Sequence, residues 1–161
     1  MAGQIIANAS KLFALDDGLK NTTSQIDSVI ADNDELIRNT SNQISDVLDI
    51  WKDRQTQAYE NLVSAQEALA RAEAAARNSE DGDVPYYYYQ AVALCQAEYD
   101  EISGVCASIE RINDDFSAAA SSYKRTIESS RQEYISILQK SSHVLTQYAE
   151  LVRKSSSITS G

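Results

Sequence analysis

The sequence predicts an all-α protein built as an elongated antiparallel helical hairpin. Two observations favour this fold. The 161 residues include only five Gly and one Pro, and apolar residues recur at alternating steps of three and four along both halves of the chain. Sheet proteins need many tight turns, which Gly and Pro supply, whereas sustained three-four spacing is typical of helices packed along one another. We therefore expect a single helical domain over 1–161.

The first helical arm is predicted over about 4–78. Two breaks are possible in it, one at 16–23, where Ser24 and Asp27 follow with the spacing of a capping box, and one at Trp51. The apolar series of this arm comprises Ile30, Ile37, Ile44, Leu48, Trp51, Gln55, Ala58, Leu62, Ala65, Leu69, Ala72 and Ala76.

The chain is predicted to reverse in a loop at 79–85, because this segment combines Gly, Pro and acidic residues. A second arm follows over about 86–154, and a disordered tail is expected at 155–161. The apolar series of the second arm comprises Val92, Cys95, Tyr99, Ile102, Cys106, Ile109, Asn113, Phe116, Ala120, Tyr123, Ile127, Ser130, Tyr134, Ile137, Ser141, Val144, Tyr148 and Leu151.

If the chain folds back at about residue 82, residue i faces residue 164 − i. Tyr99 then faces Ala65 and Tyr123 faces Ser41, so that large residues meet small ones, as interdigitated packing requires. A four-helix bundle with additional turns near 51 and 113 is the alternative, since a heptad pattern can pass through a turn unchanged.

The net charge of −10 argues against nucleic acid as a partner, because phosphate binding needs clustered Lys and Arg. No apolar segment reaches the roughly 18 residues of a membrane span, so no membrane insertion is expected. The first residues lack the basic and apolar pattern of a Sec signal peptide. Synthesis in the cytoplasm is therefore expected.

The sequence shows no pattern for catalysis, metal binding or a cofactor. His143 is the one histidine, and it has no accompanying nucleophile or acid in a recognisable arrangement. Cys95 and Cys106 lack the spacing of a zinc or redox motif. We expect a protein that is not an enzyme.

The first arm carries a wider apolar face than one neighbouring helix needs, which predicts binding of another helical protein or of a second copy. This interface is expected to centre on 29–51. Exposed tyrosines next to the loop are a further candidate surface, although they could simply cover the end of the hairpin. The predicted partner-binding residues are Val29, Leu36, Val47, Ile50, Trp51, Tyr59, Tyr86 and Tyr87.

The segment that contains Trp51 and, eight residues on, Ala58-Tyr59 resembles the WXG-type family of helical-hairpin proteins exported by type VII (ESX-like) secretion systems. The resemblance covers about residues 5–78. It implies a turn at the tryptophan and a role as co-exported partner, targeting factor or structural substrate. This chain has Asp53 where the family has glycine, and its tyrosines lack the export pattern Tyr-x-x-x-Asp/Glu of the mycobacterial branch. A cytosolic coiled-coil scaffold or adaptor is the alternative function.

Overall fold

The computed structural model describes the backbone of residues 2–80 and 82–159, and the side chains of residues 3, 10–80 and 82–158. Two helices account for nearly all of it: α1, Ala2–Arg77, and α2, Tyr86–Thr159. They pack against each other as a helical hairpin, and the described residues contain no strand. The prediction of an all-α hairpin is confirmed, and the four-helix alternative does not apply because both helices continue through residues 51 and 113.

Three boundaries differ from the predicted ones. α1 is unbroken at 16–23 and at Trp51, since one Gly in a long packed helix costs only about 1 kcal/mol. The spacing of Ser24 and Asp27 does not mark a helix start, because α1 continues through both residues; Asp27 binds Arg131 of α2. α2 continues to Thr159, whereas disorder was expected from residue 155, and residues 160–161 lie outside the described part.

The connection between the helices occupies residues 78–85, of which residue 81 is not described. Ser79 supports the turn, because its backbone N–H bonds to the Ala76 carbonyl and its Oγ accepts a hydrogen bond from the Gly82 N–H at 3.3 Å. Gly82 has φ +57, a left-handed conformation that glycine adopts without steric cost. Residues 82–85 then run outside any helix to Tyr86.

Most contacts between the helices place residue i beside about residue 158 − i. Tyr59 and Tyr99 are in contact, with ring centroids 5.8 Å apart, and Asn33 donates a hydrogen bond to the Tyr123 hydroxyl at 2.9 Å. The predicted pairing of Tyr99 with Ala65 and of Tyr123 with Ser41 is therefore wrong. Four non-helical residues at 82–85 each span about 3.3 Å rather than 1.5 Å, which moves α2 along α1 by about five helical residues.

The packing divides into two units. Unit 1 comprises Met1–Ile37 and Ala120–Gly161, and unit 2 comprises Arg38–Ala119. In unit 2 the predicted series of both helices lies in the contact between them: Ala58, Leu62 and Cys106 are buried, and Trp51, Tyr99 and Phe116 are half-buried. Gln55 donates a hydrogen bond to Ser103 Oγ at 2.9 Å across this contact.

The contact between the two helices is more polar in unit 1 than in unit 2. Asp16 is buried and accepts hydrogen bonds from Lys20 and from Ser142 Oγ; these bonds hold the pKa of Asp16 below its ordinary value. Arg131 Nε donates to Asp27 Oδ1 at 2.7 Å, which holds the pKa of that carboxyl below its ordinary value as well. Such bonds fix the register of the two helices, because each needs one particular partner.

Candidate interaction surface

The residue types that most often hold metal ions are not clustered in the described residues. These residues contain no group of three or more His, Cys, Asp and Glu side chains that could hold a metal ion. His143 is exposed on α2, and the two cysteines are free, Cys95 half-buried and Cys106 buried. Many large apolar side chains remain exposed on both helices, and exposed apolar area is typical of surfaces that bind other proteins.

The second half of α2 carries a row of exposed apolar side chains, which we call the outer stripe. Its members are spaced by three, four or seven residues, so they share one face of the helix. Val144 and Leu151 are each 62% exposed, although leucine and valine are usually buried in folded proteins. The outer stripe consists of Tyr134, Ile137, Val144, Tyr148 and Leu151.

A second apolar row, one residue further along, makes the contact with α1 instead. Leu138 is 7% exposed and Ala149 is fully buried, while Ile135, Leu145 and Val152 are half-buried. The contact series therefore shifts by one residue after Ile127, and the prediction of one unshifted series through Leu151 is wrong. Because both rows are apolar, α2 has one face for α1 and a neighbouring face that α1 does not cover.

Two shallow grooves lie between the outer stripe and α1, both within unit 1. One, of about 650 Å³, is bordered by Leu15 of α1 and by Tyr148 and Leu151 of α2. The other, of about 540 Å³, is bordered by Val29 of α1 and by Tyr134 of α2. Leu15 and Val29 are two heptads apart, as are Tyr134 and Tyr148, so the grooves open on the same side of the hairpin.

The two grooves are mainly apolar, but each has one charged side chain at its border. Lys124 contacts Asp34 at 3.2 Å and Arg131 contacts Asp27 at 2.7 Å. Neither acid borders the two grooves, whereas Arg131 borders the groove of Val29 and Lys11 borders the groove of Leu15.

The predicted partner-binding residues are distributed over both units. Val29 and Leu36 lie in unit 1 and are exposed. Val47, Ile50 and Tyr59 are exposed on α1 in unit 2. Trp51 is half-buried in the contact with α2, and the Arg54 guanidinium lies 4.9 Å from the centre of its ring. The outer stripe of α2 was missed as a surface, although its signal, paired apolar residues from Tyr134-Ile135 to Leu151-Val152, is present in the sequence.

The tyrosines next to the turn differ in environment. Tyr86 and Tyr87 are exposed and Tyr88 is half-buried, and the rings of Tyr87 and Tyr88 lie 4.2 Å apart. The Tyr89 hydroxyl donates a hydrogen bond to Glu73 of α1; burial, followed by the nearby Glu73 carboxylate, raises the pKa of Tyr89. Tyr89 therefore joins the two helices, while Tyr86 and Tyr87 remain exposed.

Comparison with known proteins gives no family assignment: no family model, no curated protein and no solved structure matches the chain. Within the described residues, neither helix has a segment that is both long and apolar enough to span a membrane. The surface geometry is therefore the basis for a functional proposal.

Proposed function

We propose that this chain is a non-enzymatic helical protein whose function is to bind another helical protein or a second copy of itself. The observation that carries the proposal is the outer stripe, together with the exposed apolar residues of α1. Water-exposed Val, Leu and Ile in register over several helical turns are unfavourable unless a partner covers them. An additional helix packs well on such a row, because its own side chains can insert between residues spaced by three and four.

A role in type VII secretion is the narrower proposal: the chain would be made in the cytoplasm and exported without a Sec signal peptide, as a co-exported partner, targeting factor or structural substrate. The eight-residue spacing of Trp51 and Tyr59 supports it, as does the helical hairpin. The unbroken helix at Trp51 differs from the turn that the resemblance implies, and it favours the alternative of a cytosolic scaffold or adaptor.

Partner binding is tested by the double variant Leu36→Asp/Ile50→Asp, expressed with an affinity tag in the native host. Both residues are exposed, so the variant should keep the far-ultraviolet circular dichroism of a helical protein. We expect it to lose defined co-purifying protein. Asn42→Asp/Gln57→Asp is the matched control, since it adds the same charge at exposed polar positions of α1. Equal partner recovery with both variants would contradict an interface on the α1 face that carries Leu36 and Ile50.

Export is tested by measuring the protein in cells and in medium, with the secretion ATPase of the host present or deleted. Accumulation in the medium only when the ATPase is present would support the secretion role. Detection in cells alone, while a known substrate is exported in the same culture, would favour the scaffold.

A further inference from the structure

We propose that two copies of this chain associate through unit 1 as an antiparallel, two-fold symmetric dimer, with the axis passing next to Ile137. In this dimer, the outer stripe of α2 packs on the outer stripe of the second copy, and α1 packs on the second copy's α1. The proposal rests on the proposed function, because it names the partner of a surface already assigned to binding helices. Three features of unit 1 place the axis at the same level to within one residue.

The first feature is the symmetry of the α2 face about Ile137. When α2 is reversed about this residue, Val144 faces Ser130 of the second copy and Leu151 faces Tyr123, each pair at the same distance from the axis. Tyr134 similarly falls opposite Ser141 to within one residue. A two-fold contact requires such self-complementarity, and the pairing of Val144 and Tyr134 with serines gives each large side chain a small neighbour.

The second feature is the arrangement of α1. Within one copy, Asp27 with Arg131 and Asp34 with Lys124 show that residue i lies beside residue 158 − i. Ile137 therefore lies at the level of Asn21. Reversal of α1 about Thr22, one residue from this level, brings Leu15 to Val29 of the second copy, and each of these residues borders one of the two grooves. The axis was placed from α2, so the pairing of Leu15 with Val29 is a separate observation.

The third feature is charge. About the same axis, Lys140 lies within one residue of the position opposite Glu133 of the second copy, and Lys11 lies within one residue of the position opposite Asp32. Each pair has opposite signs, and each occurs twice by symmetry. Unit 1 as a whole is nearly neutral, with eight Lys and Arg against nine Asp and Glu, whereas unit 2 has six against fifteen. Two copies of unit 2 would repel each other, so the charges favour self-association through unit 1.

The surface is large enough for a stable dimer. The residues from Tyr123 to Leu151 span about 42 Å of helix at 1.5 Å per residue. Two neighbouring helices present a face about 20 Å wide, since helix axes pack 8–10 Å apart. The resulting area of about 800 Å² per copy equals the contribution of each partner to a standard-size interface.

Site-specific disulfide formation in the full chain tests both the dimer and its orientation. Ile137→Cys places two thiols next to the axis, so mild oxidation should yield a covalent dimer. Val144→Cys places its thiols about 21 Å apart along the two helices, beyond the reach of a disulfide, and should stay monomeric on a denaturing gel. Two samples serve as controls for random oxidation. One is the unsubstituted chain, and the other is Leu94→Cys, at a position in unit 2 that is 72% exposed.

Cross-linking of Val144→Cys as readily as Ile137→Cys would overturn the antiparallel arrangement. Sedimentation equilibrium supplies the affinity. Lys140→Glu should weaken the dimer about tenfold by setting two acids against each other, and Glu133→Lys/Lys140→Glu should restore it because the pair is reversed. A concentration on the order of 100 µM is enough to populate even a dimer with a weak dissociation constant. A chain that remains monomeric at this concentration would overturn the proposal. If such a monomer still binds a different helical protein through the face on α1, the proposed function stands and only the identity of this partner fails.

Discussion

Arg131 of α2 reaches across the hairpin and donates its Nε–H to Oδ1 of Asp27, 2.7 Å away. This ion pair joins residues that are 104 positions apart in the chain and lies in the contact between the helices, where Arg131 is half-buried. It helps to fix the register in which the outer stripe of α2 faces away from α1.

The ion pairs of unit 1 predict loss of stability in acid. The pKa of Asp16 and that of Asp27 are both lowered in the folded chain from the ordinary value of 3.8. Their stabilising contribution is therefore complete above about pH 3.8 and is lost as the pH falls towards the folded-state values. Thermal melts followed by circular dichroism should show a lower Tm at pH 3 than at pH 6. Asp27→Asn should reduce that difference, and an unchanged difference would contradict the assigned role of Asp27.

The two apolar rows of α2 should differ in their effect on stability. Leu138→Ala removes a side chain that is 7% exposed and should lower the free energy of unfolding by about 2–4 kcal/mol at any protein concentration. Leu151→Ala, on the outer stripe, should cost less than about 1 kcal/mol when the chain is dilute. Urea denaturation of both variants measures these values. The reverse order would mean that the outer stripe, not the row of Leu138, packs on α1.

Leu62 offers the corresponding test in unit 2. It is 5% exposed, against 72% for Leu94, so Leu62→Ala should cost about 2–4 kcal/mol and Leu94→Ala should remain within about 0.5 kcal/mol of the unsubstituted chain. Chemical denaturation is again the measurement. Equal effects would show that Leu62 is not a core residue.

The continuity of α1 at Trp51 predicts sensitivity to proline. Asp53 is exposed, so Asp53→Pro acts mainly through the backbone. It should lower the free energy of unfolding by about 3 kcal/mol or more, because proline removes a helical hydrogen bond and clashes with the preceding turn. Asp53→Ala is the control and should leave stability nearly unchanged. Tolerance of proline, measured by thermal melts, would indicate a turn at this position, as the WXG-type resemblance implies.

Gly82 should be the residue of the connection least tolerant of substitution. Its φ of +57 is disfavoured for residues with a Cβ atom, so Gly82→Ala should cost about 1 kcal/mol. Asn accepts this conformation more readily than Ala, and Gly82→Asn should therefore be less destabilising. A comparison of the two Tm values checks the order.

The sequence was sufficient to predict the two helices, the position of the turn and the contact residues of unit 2, because Leu62, Cys106 and their neighbours form one apolar series without a competing one. It was not sufficient in the second half of α2, where Ile137 and Leu138 belong to two equally regular rows. The choice between the rows depends on long-range contacts such as Arg131 with Asp27, which periodicity does not contain. The length of the non-helical segment at 82–85 likewise decided the register.

The single short connection also orders the folding of the hairpin. Tyr89 and Glu73, which hydrogen-bond near the turn, are separated by 16 positions, whereas Ser142 and Asp16 are separated by 126. Closing the longer loop from an unfolded chain costs more conformational entropy, but once the pairs next to Gly82 have formed, each following pair adds only a short segment. We expect the two helices to pair progressively, starting at the turn, so that the contacts of Asp16 form last and open first.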